Sequence, residues 1–381
     1  MSAPPPDLRD HLALALVPGL GPKLTRAALA HFGSPAAVLA ASAARLEAVP
    51  QIGATLAGRF AAAFRTVNVD AELAQIERHG VRLVPFGSPD YPARLATIPD
   101  PPSLLYLKGD LAPADDRAVA IVGSRACTSY GKRVTEKLAA GLVAAGWMVV
   151  SGLARGIDGV AHRAALDAGG RTLAVLAGGL GKIYPPEHAD LAARVAGQGA
   201  LLTETPMTVD PQPGMFPARN RIVSGLCRGV VIVEANLKSG ALITASHAAE
   251  QGREVFVIPG NVDSPASAGC LDLIRKGGRL VRSVDDVLED LQGLSTPATK
   301  PAAPPTLFDA APPPPPEPAG PPPGLDPAQQ RVWDMLTEPR HADELARELG
   351  VGAAELAVTL TKLEMKRAVR RLPGNRWERR G

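Results

Sequence analysis

The sequence has few cysteines, few aromatic residues and almost no net charge. Its three cysteines, Cys127, Cys227 and Cys270, stand far apart without a CxxC pair, which argues against a disulfide framework and against a zinc site. Aromatic residues make up 4% of the 381 residues, and the net charge of +3 does not by itself indicate a nucleic-acid partner. The distribution of charge along the chain, rather than its total, therefore has to distinguish a nucleic-acid-binding protein from other function classes.

Long apolar runs are also missing. No stretch of about eighteen residues is free of both charge and glycine, so no membrane span and no membrane partner are expected. The opening residues, MSAPPPDLRD, contain no basic segment that leads into an apolar run, so no secretory signal is expected either. Together with the unpaired cysteines, these absences predict a cytoplasmic protein without a metal.

Glycine and proline are abundant, with 38 of each, and they divide the chain into four predicted parts. Residues 1–68 are rich in Ala and Leu at helical spacing and predict an all-α domain. Residues 69–294 alternate short apolar runs with helical stretches. Residues 295–325 are dominated by proline and predict an extended linker. Residues 326–381 resume helical spacing and end in two strand-like runs, which is the outline of a winged helix.

The central part predicts an α/β fold. Strands that alternate with helices of this length form βαβ units and a parallel sheet. The sequence therefore predicts an extended Rossmann-like sheet, with strands at Ala118–Val122, Trp147–Val150, Leu173–Leu176, Val230–Val233 and Val255–Ile258.

The first strand of this part ends in Gly123, Ser124 and Arg125, and a helix begins near Ser129. In doubly wound sheets such a turn holds phosphate, because free N–H groups and the helix dipole favour an anion. The GxGxxG and GxxxxGK[ST] patterns are both missing, so no nucleotide cofactor is predicted. Arg125 instead offers a planar guanidinium that suits a phosphodiester, although a plain surface arginine would give the same pattern.

Further turns lie at the same predicted edge of the sheet. Gly152, Arg155 and Gly156 follow the second strand, and Ser239 with Gly240 begins a helix after a later strand. A stacking ring interleaved with arginines is typical of proteins that hold single strands without reading their sequence. The alternative is that Phe216 belongs to the core and that Arg219 pairs with a carboxylate such as Glu204 or Glu234. The segment that raises this choice consists of Phe216, Arg219, Asn220 and Arg221.

Six segments in this order resemble the DprA (Smf) family of DNA-processing proteins, namely GSR, SGLARGIDGVAH, TLAVLAGGL…YP, FPARNRIVSGL, VIVEA…SGALITA…A…GREV and PG…P.S.G. The resemblance covers nearly the whole central part. It implies a Rossmann-type domain that binds single-stranded DNA, dimerises and helps to load RecA recombinase during natural transformation. It also implies that Arg125, the Gly152–Gly156 turn, Arg219, Arg221 and Ser239-Gly240 line the DNA groove.

Four positions depart from the family pattern. Ala177 stands in place of a glycine, Gly181 in place of an aspartate, and His188 and Leu271 in place of asparagines. None of these changes removes an arginine, so the expectation of DNA binding stands, whereas the details near Leu271 are doubtful.

The terminal parts carry signals of their own. Val17–Lys23 resembles a helix-hairpin-helix motif of the SAM-like type, and Pro50–Gly53 is a second copy that lacks the first glycine. Such hairpins either contact DNA through backbone N–H groups or act only as a scaffold, and both remain open. The last twenty residues hold eight basic and two acidic residues, a net charge of +6. This charge favours a winged helix that contacts duplex DNA over a merely solvated face. The candidate second DNA site there consists of Lys362, Lys366, Arg367 and Arg370.

The main alternative function is a nucleotide-binding hydrolase of the lysine-decarboxylase-like group on the same sheet. Its PGGxGTxxE motif is missing, since the corresponding segment reads Glu234–Ala241. Asp158 and His162 stand four residues apart on one helix but lack a third partner, so we expect Asp158 to cap the helix and His162 to pack. No catalytic residue and no cofactor are predicted. A Leu307-Phe308 pair in the linker is consistent with a docking motif, although chance is the better explanation.

Overall fold

The computed structural model describes residues 6–293, 325–336, 338–366, 368–372 and 375–379. Contacts divide the chain into two compact units, one within residues 1–298 and the other within 299–381. The predicted borders at residues 68, 294 and 325 stay predictions. Most of the proline-rich segment, with its Leu307-Phe308 pair, lies outside the described residues.

Five helices begin the first unit. They close over an apolar cluster that includes Leu14, Val38, Leu46 and Phe60, all at most 1% exposed. The helices are α1 (Pro6–Ala15), α2 (Pro22–Phe32), α3 (Pro35–Leu39), α4 (Ala43–Leu46) and α5 (Ala54–Ala63).

The two predicted hairpins have the same backbone form. Gly19 has φ +85°, and Gln51 has φ +71° at the corresponding position. In both hairpins a valine carbonyl accepts a hydrogen bond from the residue three positions later, Leu20 in the first and Ile52 in the second. The second copy therefore keeps the left-handed turn although its sequence lacks the glycine that usually makes it.

A nine-stranded sheet forms the centre of this unit. Its spatial order is β1-β2-β6-β5-β4-β3-β7-β8-β9. The run from β6 to β9 is parallel, whereas β1 and β2 form an antiparallel extension at one edge. The strands are β1 (Arg82–Pro85), β2 (Leu104–Gly109), β3 (Ala118–Gly123), β4 (Met148–Ser151), β5 (Thr172–Val175), β6 (Gly199–Thr203), β7 (Gly229–Val233), β8 (Glu254–Val257) and β9 (Arg279–Leu280).

Helices cover both faces of the sheet. The continuous apolar strands β3 to β7 are buried on both sides, as parallel strands require. The helices are α6 (Val69–Arg78), α7 (Ala93–Ala96), α8 (Ser129–Ala144), α9 (Ile157–Asp167), α10 (Ala189–Gln198), α11 (Met215–Gly225), α12 (Gly240–Glu250), α13 (Ala268–Arg275) and α14 (Val284–Gly293).

The N-terminal helices are not separate from the sheet. Leu12 of α1 is fully buried in one apolar cluster with Ile76 of α6, Tyr106 of β2 and Met207. This shared core fixes the hairpins on the sheet, which is why contacts place them in the same compact unit.

The second unit is a three-helix bundle with a small antiparallel sheet, described here by itself. Leu345, Leu360 and Leu363 lie in its core with Trp333 and Trp377. Its elements are α15 (Pro327–Met335), β10 (Arg340–His341), α16 (Ala342–Leu349), α17 (Ala353–Met365), β11 (Val369–Leu372) and β12 (Arg376–Arg379). No helix among the described residues is long and apolar enough to cross a membrane.

His162 packs in the core of the first unit, as expected from the sequence. Its Nδ1 lies 2.8 Å from the hydroxyl oxygen of Thr172, which itself donates to the Val149 carbonyl. His162 is 0% exposed, and its Nε2 has no partner among the described residues. Burial lowers the pKa of His162 to about 3, and the positive potential of His188 and Arg219 acts in the same direction.

Because the second hairpin holds Gln51 at a positive φ, we expect Gln51→Gly to stabilise the protein. A side chain at positive φ costs about 1–2 kcal/mol, which exceeds the extra chain entropy of glycine, so we expect a gain of about 0.5 kcal/mol. Urea unfolding measures it. Ala193→Gly, at an exposed position in the interior of α10, is the control and should cost about 1 kcal/mol. Destabilisation by Gln51→Gly would contradict the left-handed assignment.

Buried His162 predicts a loss of stability in mild acid. The unfolded chain binds a proton at this residue below pH 6.5, whereas the folded protein binds it only near pH 3. Stability from this group is therefore complete above pH 6.5 and falls by about 1.4 kcal/mol per pH unit below it. Urea unfolding at about pH 7.5 and about pH 5 checks this. His162→Gln should show a smaller fall, and an equal fall in both proteins would rule His162 out.

Candidate nucleic-acid interface

A cavity of about 510 Å³ opens at the carboxyl ends of the parallel strands. Strand β3 lies between β4 and β7 in the sheet. The chain continues from β3 to β4 on one side, whereas β7 is added later on the other side, so the loops after β3 and β7 lead away from each other at this point. Ligands of open α/β sheets bind at such a switch point. The predicted site residues that line this cavity are Gly123, Ser124, Arg125, Gly152, Phe216, Arg219, Asn220, Ser239 and Gly240.

Arg125 and Phe216 lie together at the mouth of this cavity. The guanidinium carbon of Arg125 is 4.9 Å from the centre of the Phe216 ring, which is a cation–π contact. The ring of Tyr184 lies 6.0 Å from that of Phe216, on the side of an adjoining pocket. Phe216 is half-buried rather than a core residue. The mouth therefore combines an exposed cation with two rings.

Arg219 forms the floor of the cavity. Its Nη1 donates to the carbonyls of Gly152, at 2.8 Å, and of Val175. Asp158 Oδ2 accepts from the backbone N–H of Gly152 at 3.1 Å and from that of Ala154 at 3.4 Å. The peptide groups around Gly152 are thus held from both sides, which fixes the turn after β4.

The same two side chains carry buried charge. Burial lowers the pKa of Arg219 to about 10, while the Asp158 carboxylate opposes that shift. Burial raises the pKa of Asp158, and Arg219 opposes it. A guanidinium with this pKa stays protonated at neutral pH, so Arg219 contributes positive potential to the cavity from below. The sequence-based alternative of an ion pair between Arg219 and a carboxylate such as Glu204 or Glu234 is not found among the described residues. The guanidinium donates to backbone carbonyls, and Asp158 acts on it only through its charge.

Two predicted site residues lie away from the cavity. Gly156, with φ +70°, packs against the loop after β3, where a Cβ would meet the Ser124 carbonyl at 2.2 Å. Arg221 is buried and pairs with Asp100 at 3.0 Å and Glu204 at 2.6 Å. Neither residue lines the cavity, because Gly156 permits a close backbone approach and Arg221 neutralises two carboxylates.

The start of α8 does not offer the free N–H cradle that the sequence predicted. Glu234, at the end of β7, accepts from the backbone N–H of Thr128 at 2.8 Å and also from its hydroxyl. Thr128 is the N-cap of α8, and a Cβ at Gly131 would overlap the Glu234 carboxylate. An internal carboxylate thus lies where the sequence predicted a phosphate, and its negative charge opposes a second anion at this helix terminus.

The start of α12 lies on the other wall of the cavity. The Ser239 hydroxyl accepts from Ala241 N–H at 3.3 Å and caps the helix, and Lys238 is exposed beside it. The Asn220 amide donates to the Gly240 carbonyl at 3.2 Å, which ties α11 to this turn. Lys238 was not among the predicted site residues, although it directly precedes the Ser-Gly pair.

The adjoining pocket contains residues that sequence reasoning missed. Tyr184 and Lys182 line it, together with the predicted Arg155. Arg155 pairs with Glu187, and Lys182 pairs with Asp210 at 3.0 Å, both at the surface. The signal was present in the sequence, because this segment follows β5 at the same edge of the sheet.

The four departures from the family pattern lie mostly outside the cavity. Ala177 lines the adjoining pocket. Gly181 donates to the Met207 carbonyl at 2.9 Å, and His188 Nδ1 lies 2.9 Å from the Leu153 carbonyl oxygen. Leu271 belongs to α13 and lines neither pocket. These changes therefore leave the arginines of the cavity in place.

The basic tail is only partly free. Lys362 is exposed on α17, whereas Lys366 donates to the Gln329 side chain at 2.8 Å and Arg370 pairs with Glu378. Arg379 donates to the Trp333 carbonyl at 2.9 Å. Arg367 lies outside the described residues. Much of the charge in the second candidate site thus stabilises the winged helix itself.

No group of three potential metal ligands occurs in the described part of the chain. Asp158 and His162, the candidate catalysts, bond to backbone N–H groups and to a core hydroxyl, respectively. The geometry therefore provides charge, stacking surfaces and a held backbone rather than a nucleophile with its base.

Comparison with known proteins assigns all three structural parts. The family model of DNA recombination-mediator protein A matches residues 82–292. A SAM-like helix-hairpin-helix tandem model matches residues 12–66, and a DprA winged helix model matches residues 312–375. These matches confirm the predicted fold class, and the last one begins inside the predicted linker.

Individual relatives agree with the family models. DNA processing protein DprA of Bacillus subtilis is 44% identical over 60% of this chain and 77% of its own length. Protein Smf of Escherichia coli is 40% identical over 85% of this chain and 84% of its own.

Two solved structures are similar as well. DprA of Streptococcus pneumoniae has a TM-score of 0.64 at 35% identity, covering 74% of this chain and 95% of that one. DprA of Helicobacter pylori, whose structure is described in terms of its single-stranded DNA binding mode, has a TM-score of 0.51 at 31% identity, covering 56% and 96%. The chain therefore belongs to the DprA (Smf) family of DNA-processing proteins.

Proposed function

We propose that this protein binds single-stranded DNA without acting on it chemically, protects incoming DNA, and helps to load RecA recombinase during natural transformation. The observation that carries the proposal is the cavity at the switch point of the sheet, where exposed Arg125 lies over Phe216 above the buried guanidinium of Arg219. The single-stranded DNA binding of the Helicobacter pylori relative supports the same ligand class.

The cavity suits a phosphodiester chain for electrostatic reasons. The carboxylates of Asp158 and Glu234 accept hydrogen bonds from backbone N–H groups of the protein. Arg125 and Lys238 have no ion-pair partner among the described residues and face solvent at the mouth. These exposed cations attract phosphates, and the rings of Phe216 and Tyr184 offer an unstacked base a surface to stack on.

Several parts of the proposal rest on the family rather than on this geometry. They are a homodimer that presents two cavities to one strand, the contact with RecA, and a duplex contact of the winged helix. Exposed Lys362 supports the duplex contact, whereas Lys366 and Arg370 already hold side-chain partners. Two linked cavities would raise the avidity for long strands without any new contact.

Arg125→Gln is the variant that tests the cavity. We expect the dissociation constant for an oligothymidylate to rise about tenfold, and the salt slope of binding to fall by about 0.7, because one phosphate contact is lost. Fluorescence anisotropy at several salt concentrations measures both. Arg117→Gln, which removes an equal charge at the opposite end of β3, is the control.

Two outcomes decide the proposal. Unchanged binding by Arg125→Gln would move the DNA site out of the cavity. For the RecA part, the wild type should shorten the lag of single-strand-dependent ATP hydrolysis by RecA, whereas Arg125→Gln should shorten it less. An equal effect of both proteins would separate RecA loading from DNA binding at the cavity.

A further inference from the structure

A second basic surface lies beside the cavity, in the groove between α8 and α9. This α8–α9 groove has a volume of about 510 Å³ and is lined by Lys132 and Glu136 from α8, and by Val160, Arg163 and Asp167 from α9. Lys132 and Arg163 are both exposed. None of the cavity residues described above lines this groove.

The first turns of α8 carry more positive charge than their own stability favours. Lys132, Arg133 and Lys137 all lie there, against Glu136 alone, and the first turn has no acidic residue. Cations near a helix N-terminus and like charges four residues apart, such as Arg133 and Lys137, are both unfavourable. The Glu234 carboxylate at the N-cap offsets part of this cost for the terminus, but no acid pairs with these side chains among the described residues. A local cost of this kind is typical of a functional surface.

The charges of the groove are not neutralised within the protein. Within the described ranges of the chain, no ion pair is formed by the four cations Lys132, Arg133, Lys137 and Arg163. The acidic residue Asp167, in contrast, pairs with Arg194 at 2.6 Å. Of these four cations, Lys132 and Arg163 line the groove, and Glu136 is the lining acid without an ion-pair partner among the described residues. Because Asp167 is neutralised by Arg194, the lining presents a net positive charge to solvent.

The groove begins where the cavity ends. The loop after β3 places Arg125 and Ala126 on the cavity wall. Two residues after Arg125 in the same loop, the Cys127 thiol lies within the electrostatic reach of Lys132 and Arg163, which both lower its pKa against the larger effect of burial. Gly156, at the start of α9, packs on this loop. A chain that leaves the cavity over this loop therefore meets Lys132 and Arg163 next.

We propose that the α8–α9 groove is the continuation of the single-strand path, in which Lys132 and Arg163 bind the phosphates of nucleotides that follow those held in the cavity. This inference rests on the proposed function of the cavity. The ligand class is a polyanion with regularly repeated phosphates, since a single small anion would need only one of the two sites. Longer strands should thus gain affinity from the groove, and short ones should not.

The test compares Lys132→Gln/Arg163→Gln with wild type on oligothymidylates of about six and about thirty nucleotides. For the long oligomer we expect a dissociation constant about tenfold higher and a salt slope lower by about 1.4, since two phosphate contacts are lost from a single strand. For the short oligomer both values should equal those of the wild type. Lys108→Gln/Arg117→Gln, with the same charge change near the amino ends of the parallel strands, should leave both oligomers unaffected.

The folding of the variant has its own readout. The single variant Lys132→Gln removes an unpaired cation from the first turns of α8 and should leave the Tm unchanged or raise it, so a lower Tm of this variant would contradict the argument from local electrostatic cost.

The other outcomes are also distinct. If the double variant binds the long oligomer as the control does, the groove is not part of the path. Weaker binding to a polyglutamate peptide alone would assign it to an acidic protein segment instead. Equal weakening on both oligomers would indicate a general field effect and overturn the inference. If the wild type binds neither oligomer, the proposed function itself is wrong and the inference falls with it.

Discussion

The structure of the interface depends on the way the turn after β4 is held by two buried charges. Asp158 accepts from the N–H of Gly152 and Arg219 donates to its carbonyl, so α9 and α11 are both bonded to the two peptide groups that flank this residue. Arg219 also reaches the end of β5 through Val175. Three chain segments thereby meet in a fixed geometry at the floor of the cavity. Removing either side chain would leave the other as a buried charge without compensation, so both residues have to be retained together.

The same pairing explains where the positive potential of the cavity arises. Acidic groups near the floor are bonded inward, Asp158 to the β4 turn and Glu234 to the N-cap of α8. The exposed cations at the mouth, Arg125 and Lys238, have no such partner in the described part of the chain. A protein with a net charge of only +3 can therefore present a basic surface locally, and overall charge was a poor guide to its ligand.

The sequence predicted the five core strands to within two residues, because parallel strands buried on both faces read as continuous apolar runs. It did not reveal β1, which ends in Pro85, or β6, which follows α10 without a break. In the site, Arg219 and Arg221 look equivalent in sequence. They are two positions apart on α11, however, and so point in directions about 200° apart, one to the cavity and the other to Asp100 and Glu204. Which of the two arginines faces the cavity depends on the rotation of α11 about its axis, and the spacing of the residues in the sequence does not determine that rotation.

The carboxylate of Glu234 at the start of α8 has a consequence for competition inside a cell. A helix terminus with free N–H groups binds a single phosphate well, and free nucleotides would then occupy it at their ordinary concentrations. Here the protein's own Glu234 carboxylate lies at that terminus and repels a second anion. What remains is a set of separated cations, each of which would bind one phosphate weakly and several phosphates of one chain together. Under the proposed function, the arrangement would discriminate polymers from the mononucleotide pool by the number of charges rather than by their chemistry.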